Sequence, residues 1–432
     1  MTDELGSLLR RLGVTKGARH IRPASVPVTG GRFTRNEAPD SPPPLEQLLP
    51  GGRLMGSDEG ACFVVDHVYP LHYRHGDDTL ADLLVVGPAA AEPYRLEDRL
   101  VGDDFRNFLF LDTETTGLAG AGTLAFMVGV AYFEPHTTII DGRTEEGDVL
   151  VVRQYFLRDQ DDEPEMLRQL DDILADKVGL ITFNGKSFDV PLLGNRYLMN
   201  RRRGRLPEMP HIDLLAPSRR LYRARLGSCA LGSLEQSLLG LHRTQDDVPG
   251  WLIPSLYFDY LRSGDARRLT GVFYHNEMDM LSMVTLASRI FRQLATSRCD
   301  DPLDQLSLGR WQIGLGLHDL AEDTLRSALD GDLPMEAYHQ ALHELGKLYK
   351  QRDRREDAVV AWQQIASTST NDVAAHVELA KYYEWREGDV AAAIQWTRRA
   401  MALVERWPLT PRARLAHIEL RHRLERLEKK AT

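Results

Sequence analysis

The sequence predicts an α/β domain, a mixed sheet with flanking helices, followed by an all-α domain. Two observations carry this. Between residues 105 and 295, short apolar strands alternate with amphipathic segments in the order three strands, helix, strand, helix, strand, helices, the pattern of a sheet covered by helices. After Pro302 the strands stop and a repeat begins. Leu345, Gly346, Tyr349, Ala358 and Trp362 return 34 residues later as Leu379, Ala380, Tyr383, Ala392 and Trp396, and an earlier copy sits 37 residues upstream at Leu308-Gly309, Ala321 and Leu325.

Taken in order, residues 1–20 have the spacing of an amphipathic helix. Seven prolines between Pro23 and Pro50 then make an extended linker, because proline fixes φ and lacks an amide donor. Residues 51–100 read as a short β-rich segment around Ala61–Val68. His67, His72 and His75 lie there without a cysteine or a placed acid, so core or surface histidines fit better than a zinc site. Residues 101–298 are the α/β domain. Its strands start at Phe108, Leu124, Val149, Gly179 and His211, and its helices cover Glu163–Ala175, Asp189–Asn200, Leu231–Leu239 and Leu269–Leu294. The first three strands fit an antiparallel meander. Residues 302–432 are the helical repeats, closed by a capping helix from Pro411 to Lys430.

Composition narrows the class. Cys62, Cys229 and Cys299 show no paired spacing, against a disulfide framework or a thiolate zinc site. The N-terminus has no apolar signal region and no run reaches the ~18 apolar residues of a membrane span, so a soluble cytoplasmic protein is expected. The net charge of −10 does not itself point to nucleic acid, though binding depends on local patches.

Phe108-Leu-Phe-Leu runs straight into Asp112-Thr-Glu114. A fully apolar run reads as a strand buried on both faces. On a strand, i and i+2 share a side, so Asp112 and Glu114 face one way and Thr113 the other. Two such acids repel each other, and a hard divalent cation between them relieves the repulsion. A second strand ends at Asn184, with Asp189 opening the next helix. On the last long helix, His275 and Asp279 are i and i+4 and lie on one face.

Asp112-x-Glu114, Asn184-x-x-x-Phe188-Asp189 and His275-x-x-x-Asp279 together resemble the three motifs of the DEDD exonuclease superfamily, with its ribonuclease-H-like fold. The resemblance is closest to the YprB-like family. It extends through Glu114-Thr-Thr-Gly-Leu-Ala-Gly, His211-Ile-Asp213-Leu, Leu226-Gly-Ser-Cys-x-Leu-Gly-Ser-Leu-Glu235, Val248-Pro-Gly250 and His275-Asn-x-x-Asp-Met-Leu-Ser282. The 34-residue period resembles the tetratricopeptide repeat. These resemblances imply a metal-dependent 3′–5′ exonuclease acting on DNA, set in DNA repair, with a helicase partner of the mitomycin repair factor A type. They imply two ions, Mg²⁺ or Mn²⁺, held by Asp112, Glu114, Asp189 and Asp279, and His275 as the base for the attacking water. One departure stands out. Histidine-type members place the His five positions before the last Asp, whereas here Tyr274 stands five before and His275 four before. His275 shares the Asp279 face, and histidine is a better proton acceptor than tyrosine; Tyr274 is the alternative.

Nine arginines between Arg196 and Arg225, against Glu208 and Asp213, give a local charge of +7, a patch suited to backbone phosphates. Arg201, Arg202 and Arg203 are the candidates within it. Lys186 is placed to reach a phosphate near the acids. Leu118 and Phe126 can wedge against a terminal base, a core role being equally open to Phe126, and Thr115 and Asn184 complete the candidate substrate contacts. RNA as the polymer, and an adaptor with a spent nuclease domain, are the alternatives.

Overall fold

The computed structural model describes residues 42–431, apart from 59, 100, 101, 103, 118–121, 141, 142 and 245. The expected helix over 1–20 and most of the proline linker lie outside these residues. A short helix α1 (Leu45–Leu48) precedes a hairpin of β1 (Arg53–Ser57) and β2 (Gly60–Pro70). Strands β3 (Arg74–His75) and β4 (Asp78–Thr79) pair with each other, and two 3₁₀ segments, Leu80–Val85 and Pro88–Tyr94, follow.

The interior strand β5 (Phe108–Thr115) is where the apolar run predicts it. Antiparallel to it lies β6 (Ala125–Ile140), paired in turn with β7 (Arg143–Phe156). These two strands run further than their apolar cores predict. Beyond Phe133 and before Val149 they stay paired as a mostly polar ribbon, out to Ile140 and Arg143, with no apolar alternation to betray it. Next come α2 (Glu163–Leu174), β8 (Gly179–Thr182), α3 (Asp189–Met199) and β9 (His211–Asp213). The sheet order is β1-β2-β7-β6-β5-β8-β9, with β5, β8 and β9 parallel and the rest antiparallel.

Helix α4 (Leu215–Leu226) has no counterpart in the sequence reading, because its arginines mask a narrow apolar stripe of Leu221 and Tyr222. The segment expected as one helix over 231–239 is α5 (Leu231–Leu234) opening into a π turn at Glu235–Leu239. Then come α6 (Ile253–Ser263) and α7 (Thr270–Thr296). The two cores follow strand alternation. Leu109 and Leu111 pack with α2, α3 and α6, while Phe108 and Phe110 pack with α4 and α7.

The remaining chain is helical: α8 (Pro302–Gly314), α9 (His318–Leu329), α10 (Met335–Gln351), α11 (Arg355–Thr368), α12 (Val373–Tyr382), α13 (Val390–Val404) and α14 (Pro411–Ala431). The small position of the repeat explains itself. A Cβ at Gly346 would lie 2.5 Å from the Trp362 indole, and one at Gly309 would lie 2.8 Å from Leu325. No helix among the described residues is long and apolar enough to cross a membrane.

Candidate active site

Continuing the alternation of β5 turns Asp112 and Glu114 toward the face that α7 covers. A register shift between Glu114, opposite Met127, and Thr115, opposite Ala125, disrupts the ladder there, as bulges beside functional sites commonly do. Helix α7 brings His275, Asn276 and Asp279 to the same strand end. From the opposite face, Asp189 sits at the start of α3, where an acid also complements the helix N-terminus. The Thr113 hydroxyl donates to the Asp189 carboxylate, so the residue pointing away from Asp112 fixes the third acid.

Glu114, His275 and Asp279 each offer a donor atom within 4.8 Å of the others, a group able to hold a metal ion. Asp112 accepts from Asn276 Nδ2 at 3.0 Å. The electrostatics show what this crowding does. Burial pushes the Asp112 carboxyl well above the usual range, and the charges of Asp189 and Asp279 push it further. Burial also raises Glu114, with Asp112, Asp279 and Asp189 adding to it. Asp189 is pushed up to about 6, burial first, against the opposing hydrogen bond from Thr113. Burial raises Asp279 too, although His275 and Arg243 pull it back. An oxygen-rich, mutually repelling donor set suits a hard divalent cation.

Residues that the sequence reading missed orient these groups. Asn276 is fully buried, and its Oδ1 accepts from Gln154 Nε2 at 3.0 Å, which turns its amide toward Asp112. A Cβ at Gly129 would lie 2.1 Å from Asn276 Oδ1, so glycine is what lets α7 seat there. Arg243 is the hub on the other side. Its Nη2 bonds Glu235 Oε1 at 2.5 Å and also the Asp279 carboxylate, and its Nη1 lies 3.2 Å from His275 Nδ1. His275 Nδ1 is 2.7 Å from Asp247 Oδ1, and Nε2 is 3.6 Å from Asp279 Oδ2. Glu235 accepts in turn from Ser282 at 2.6 Å, and Ser282 meets His75 Nε2 at 2.8 Å. Burial pushes the His75 imidazole down to about 4. The Arg243 and Asp247 loop has no local sequence signal. The π turn bearing Glu235 is a kind of distortion that recurs at functional sites.

The expected substrate residues divide. Asn184 lines a cavity of about 550 Å³ together with Asp112, Phe183, Arg219, Arg223 and Asp279. Its backbone is left-handed, φ 69°, and Asp213 braces the turn by accepting the N–H groups of Asn184 at 2.8 Å and Lys186 at 3.2 Å. Lys186 Nζ lies 3.6 Å from Glu97. Thr115 donates to the Gly117 carbonyl at 2.8 Å. Leu118 lies outside the described residues. Phe126 is a correction: it is fully buried, with its ring stacked on Tyr257 at 4.0 Å, so it packs the core and meets no base.

The arginine patch is a second correction. Helix α3 starts at Asp189 and runs 11 residues away from it, about 16 Å at about 1.5 Å per residue. Arg201, Arg202 and Arg203 follow its far end. Arg196 is bound to Glu163 and Arg202 is paired with Asp171, both on α2. Sequence counting sums charges but does not see partners 30 residues upstream. Only the α4 members Arg219 and Arg223 reach the cavity with Asp112 and Asp279.

Residues 109–291 match the RNase_H_2 family of the RNase_H superfamily. Over 351 residues, covering 79% of this chain and 80% of the relative, the sequence is 29% identical to the uncharacterized protein YprB of Bacillus subtilis (strain 168). The seven-stranded mixed sheet with helices on both faces is a ribonuclease-H-like fold, and nucleic acid is the substrate class that such a nuclease domain implies.

Proposed function

We propose that this chain, which carries a ribonuclease-H-superfamily domain over residues 109–291, is a metal-dependent 3′–5′ exonuclease that hydrolyses DNA, with a role in DNA repair. One observation carries the reading. Three distant segments bring Asp112, Glu114, Asp189, Asp279 and His275 to one strand end beside an open cavity, with more negative charge than the nearby Arg243 balances. Buried charge without compensation marks a functional site. Asp112, Glu114, Asp189 and Asp279 would hold two ions, Mg²⁺ or Mn²⁺, which when bound supply positive charge for the phosphate and acidify a water.

The chain's own groups do the rest. Asp247, 2.7 Å from His275 Nδ1, orients the imidazole, whose Nε2 we assign to accept the proton of the attacking water. Tyr274 is turned aside, its hydroxyl 3.3 Å from the Thr244 N–H, which favours His275 as the base. Asn276 keeps Asp112 oriented, and Arg243 does the same for Asp279. The helical part, read as tetratricopeptide-type repeats, is the part we assign to dock a helicase of the mitomycin repair factor A type.

The test is nucleotide release from end-labelled single- and double-stranded DNA and RNA with Mg²⁺ or Mn²⁺. Release of nucleoside monophosphates from DNA 3′ ends, abolished in Asp112→Ala, is expected. Release undiminished in Asp112→Ala, or none from any polymer, would overturn the reading. Faster release from RNA would replace DNA as the substrate.

A further inference from the structure

The cavity at the acids does not end at α4. Arg219 and Arg223, one turn apart on that helix, also line a second groove of about 610 Å³, whose far wall is Arg310 and Trp311 of α8. An arginine-lined path therefore leads from Asp112 and Asp279, over α4, onto the first helix of the helical part. Its wall is fixed in place. Arg225 of α4 bonds Asp304 of α8 at 2.7 Å, Trp311 packs on Tyr94 with ring centroids 4.9 Å apart, and Gln312 donates to the Tyr94 hydroxyl at 2.9 Å.

The arginines of this path differ from Arg196 and Arg202, which carboxylates of α2 hold. Arg219 and Arg223 are exposed and pair with no carboxylate among the described residues. Arg220 lies over the Trp311 ring at 4.9 Å, and Arg310 has only a loose approach to Glu344 at 3.9 Å. Trp311 itself is buried at 7% exposure, so its face is not free to stack on a base. The path offers guanidinium groups and no base-reading surface, the chemistry of backbone recognition.

We propose that this groove is the track for the single strand leading away from the acids, and that α8 of the helical part forms its outer half. The strand is held by its phosphates, independently of base sequence. This rests on the nuclease reading, and the test separates the two.

Binding of fluorescent three- and fifteen-nucleotide single strands, deoxy and ribo, is measured in EDTA by anisotropy, where no turnover occurs. Arg310→Glu and the milder Arg310→Gln and Arg223→Gln are compared with Arg203→Glu, a charge reversal past the far end of α3. All are first shown to melt like the parent. For fifteen-nucleotide strands, Arg310→Glu should weaken binding about tenfold and lower the salt slope by about one, uniformly across sequences. It should not change binding of the three-nucleotide strand, and Arg203→Glu should change neither. Parent-like binding of long strands by Arg310→Glu, or an equal loss in Arg203→Glu, would overturn the track. So would an effect confined to one base sequence. Nucleotide release with Mn²⁺, measured separately, reports on the nuclease reading. A strand-binding protein that releases nothing sinks that reading alone, and an active nuclease indifferent to Arg310→Glu sinks the track alone.

Discussion

Two sets of buried or half-buried carboxylates flank this sheet, and they are treated in opposite ways. On α2, Glu163 receives Arg196 through Nε at 2.5 Å and Nη2 at 2.6 Å, with Asn200 at 2.7 Å. Glu165, fully buried, receives Arg168 at 2.7 and 2.9 Å, Gln169 at 2.7 Å and the Ser57 hydroxyl. Its carboxyl falls to about 2, chiefly through Arg168. At the strand end, Asp112, Glu114 and Asp189 lie next to one another, and all are raised. The α2 acids are satisfied within the fold and serve stability. The strand-end acids keep charge that Arg243 alone does not offset, and on the proposed reading a cation from outside would balance it.

This contrast breaks most visibly under substitution. Asp112→Asn should reduce nucleotide release to background while raising the metal-free melting temperature, since one of several repelling charges is gone. A loss of both activity and stability would place Asp112 with the α2 acids. His275→Ala should lower the rate by about a hundred- to ten-thousandfold, measured at saturating Mn²⁺, and Tyr274→Phe should stay near the parent. The reverse pattern would make Tyr274 the base. Glu163→Ala strands the 12%-exposed Arg196 and should cost about 3 kcal/mol in urea unfolding, with activity per folded molecule retained. Asn276→Ala should weaken Mn²⁺ binding about 10- to 100-fold, as loss of an orienting partner does; calorimetric titration reads this.

The smallest effect is the pH profile of metal-free stability, and its sign differs between the two sets. Asp189 titrates at about 6 when folded against about 3.9 unfolded, so its fold favours the proton. Stability is therefore highest below about 4 and is lost as pH rises through about 6. Glu165 at about 2, against about 4.3 unfolded, contributes stability above about 4 that is lost as pH falls toward 2. Melting in EDTA should thus peak between the two limbs, and Asp189→Asn should shrink the upper one, which the raised Asp112, Glu114 and Asp279 share, and leave the lower one unchanged. An unchanged upper limb would refute the assignment.

The acids and His275 were legible because each belongs to a local pattern. Asp112 and Glu114 share a face by strand alternation, and His275 and Asp279 by helical spacing. Asp189 follows a buried strand. Arg243, Asp247 and Gln154 were not legible, since they reach the site from a loop and a neighbouring strand and no spacing connects them to it. The fold class was readable from alternation and repeat period. The polar ribbon of β6 and β7 and the arginine-rich α4 were not, because both lack the apolar rhythm that marks an element. The arginine run misled for a related reason: Arg196 and Arg202 are neutralised by α2, and only the three-dimensional arrangement separates them from Arg219 and Arg223.

The central claim is that the strand-end carboxylates await a divalent cation. Its most direct test is the melting temperature at neutral pH as Mn²⁺ is added to the EDTA-treated protein. A rise in the parent that is absent in Asp112→Asn and Asp279→Asn and intact in Glu163→Ala is the predicted result. A rise of equal size in all four proteins, or none in the parent, would contradict it.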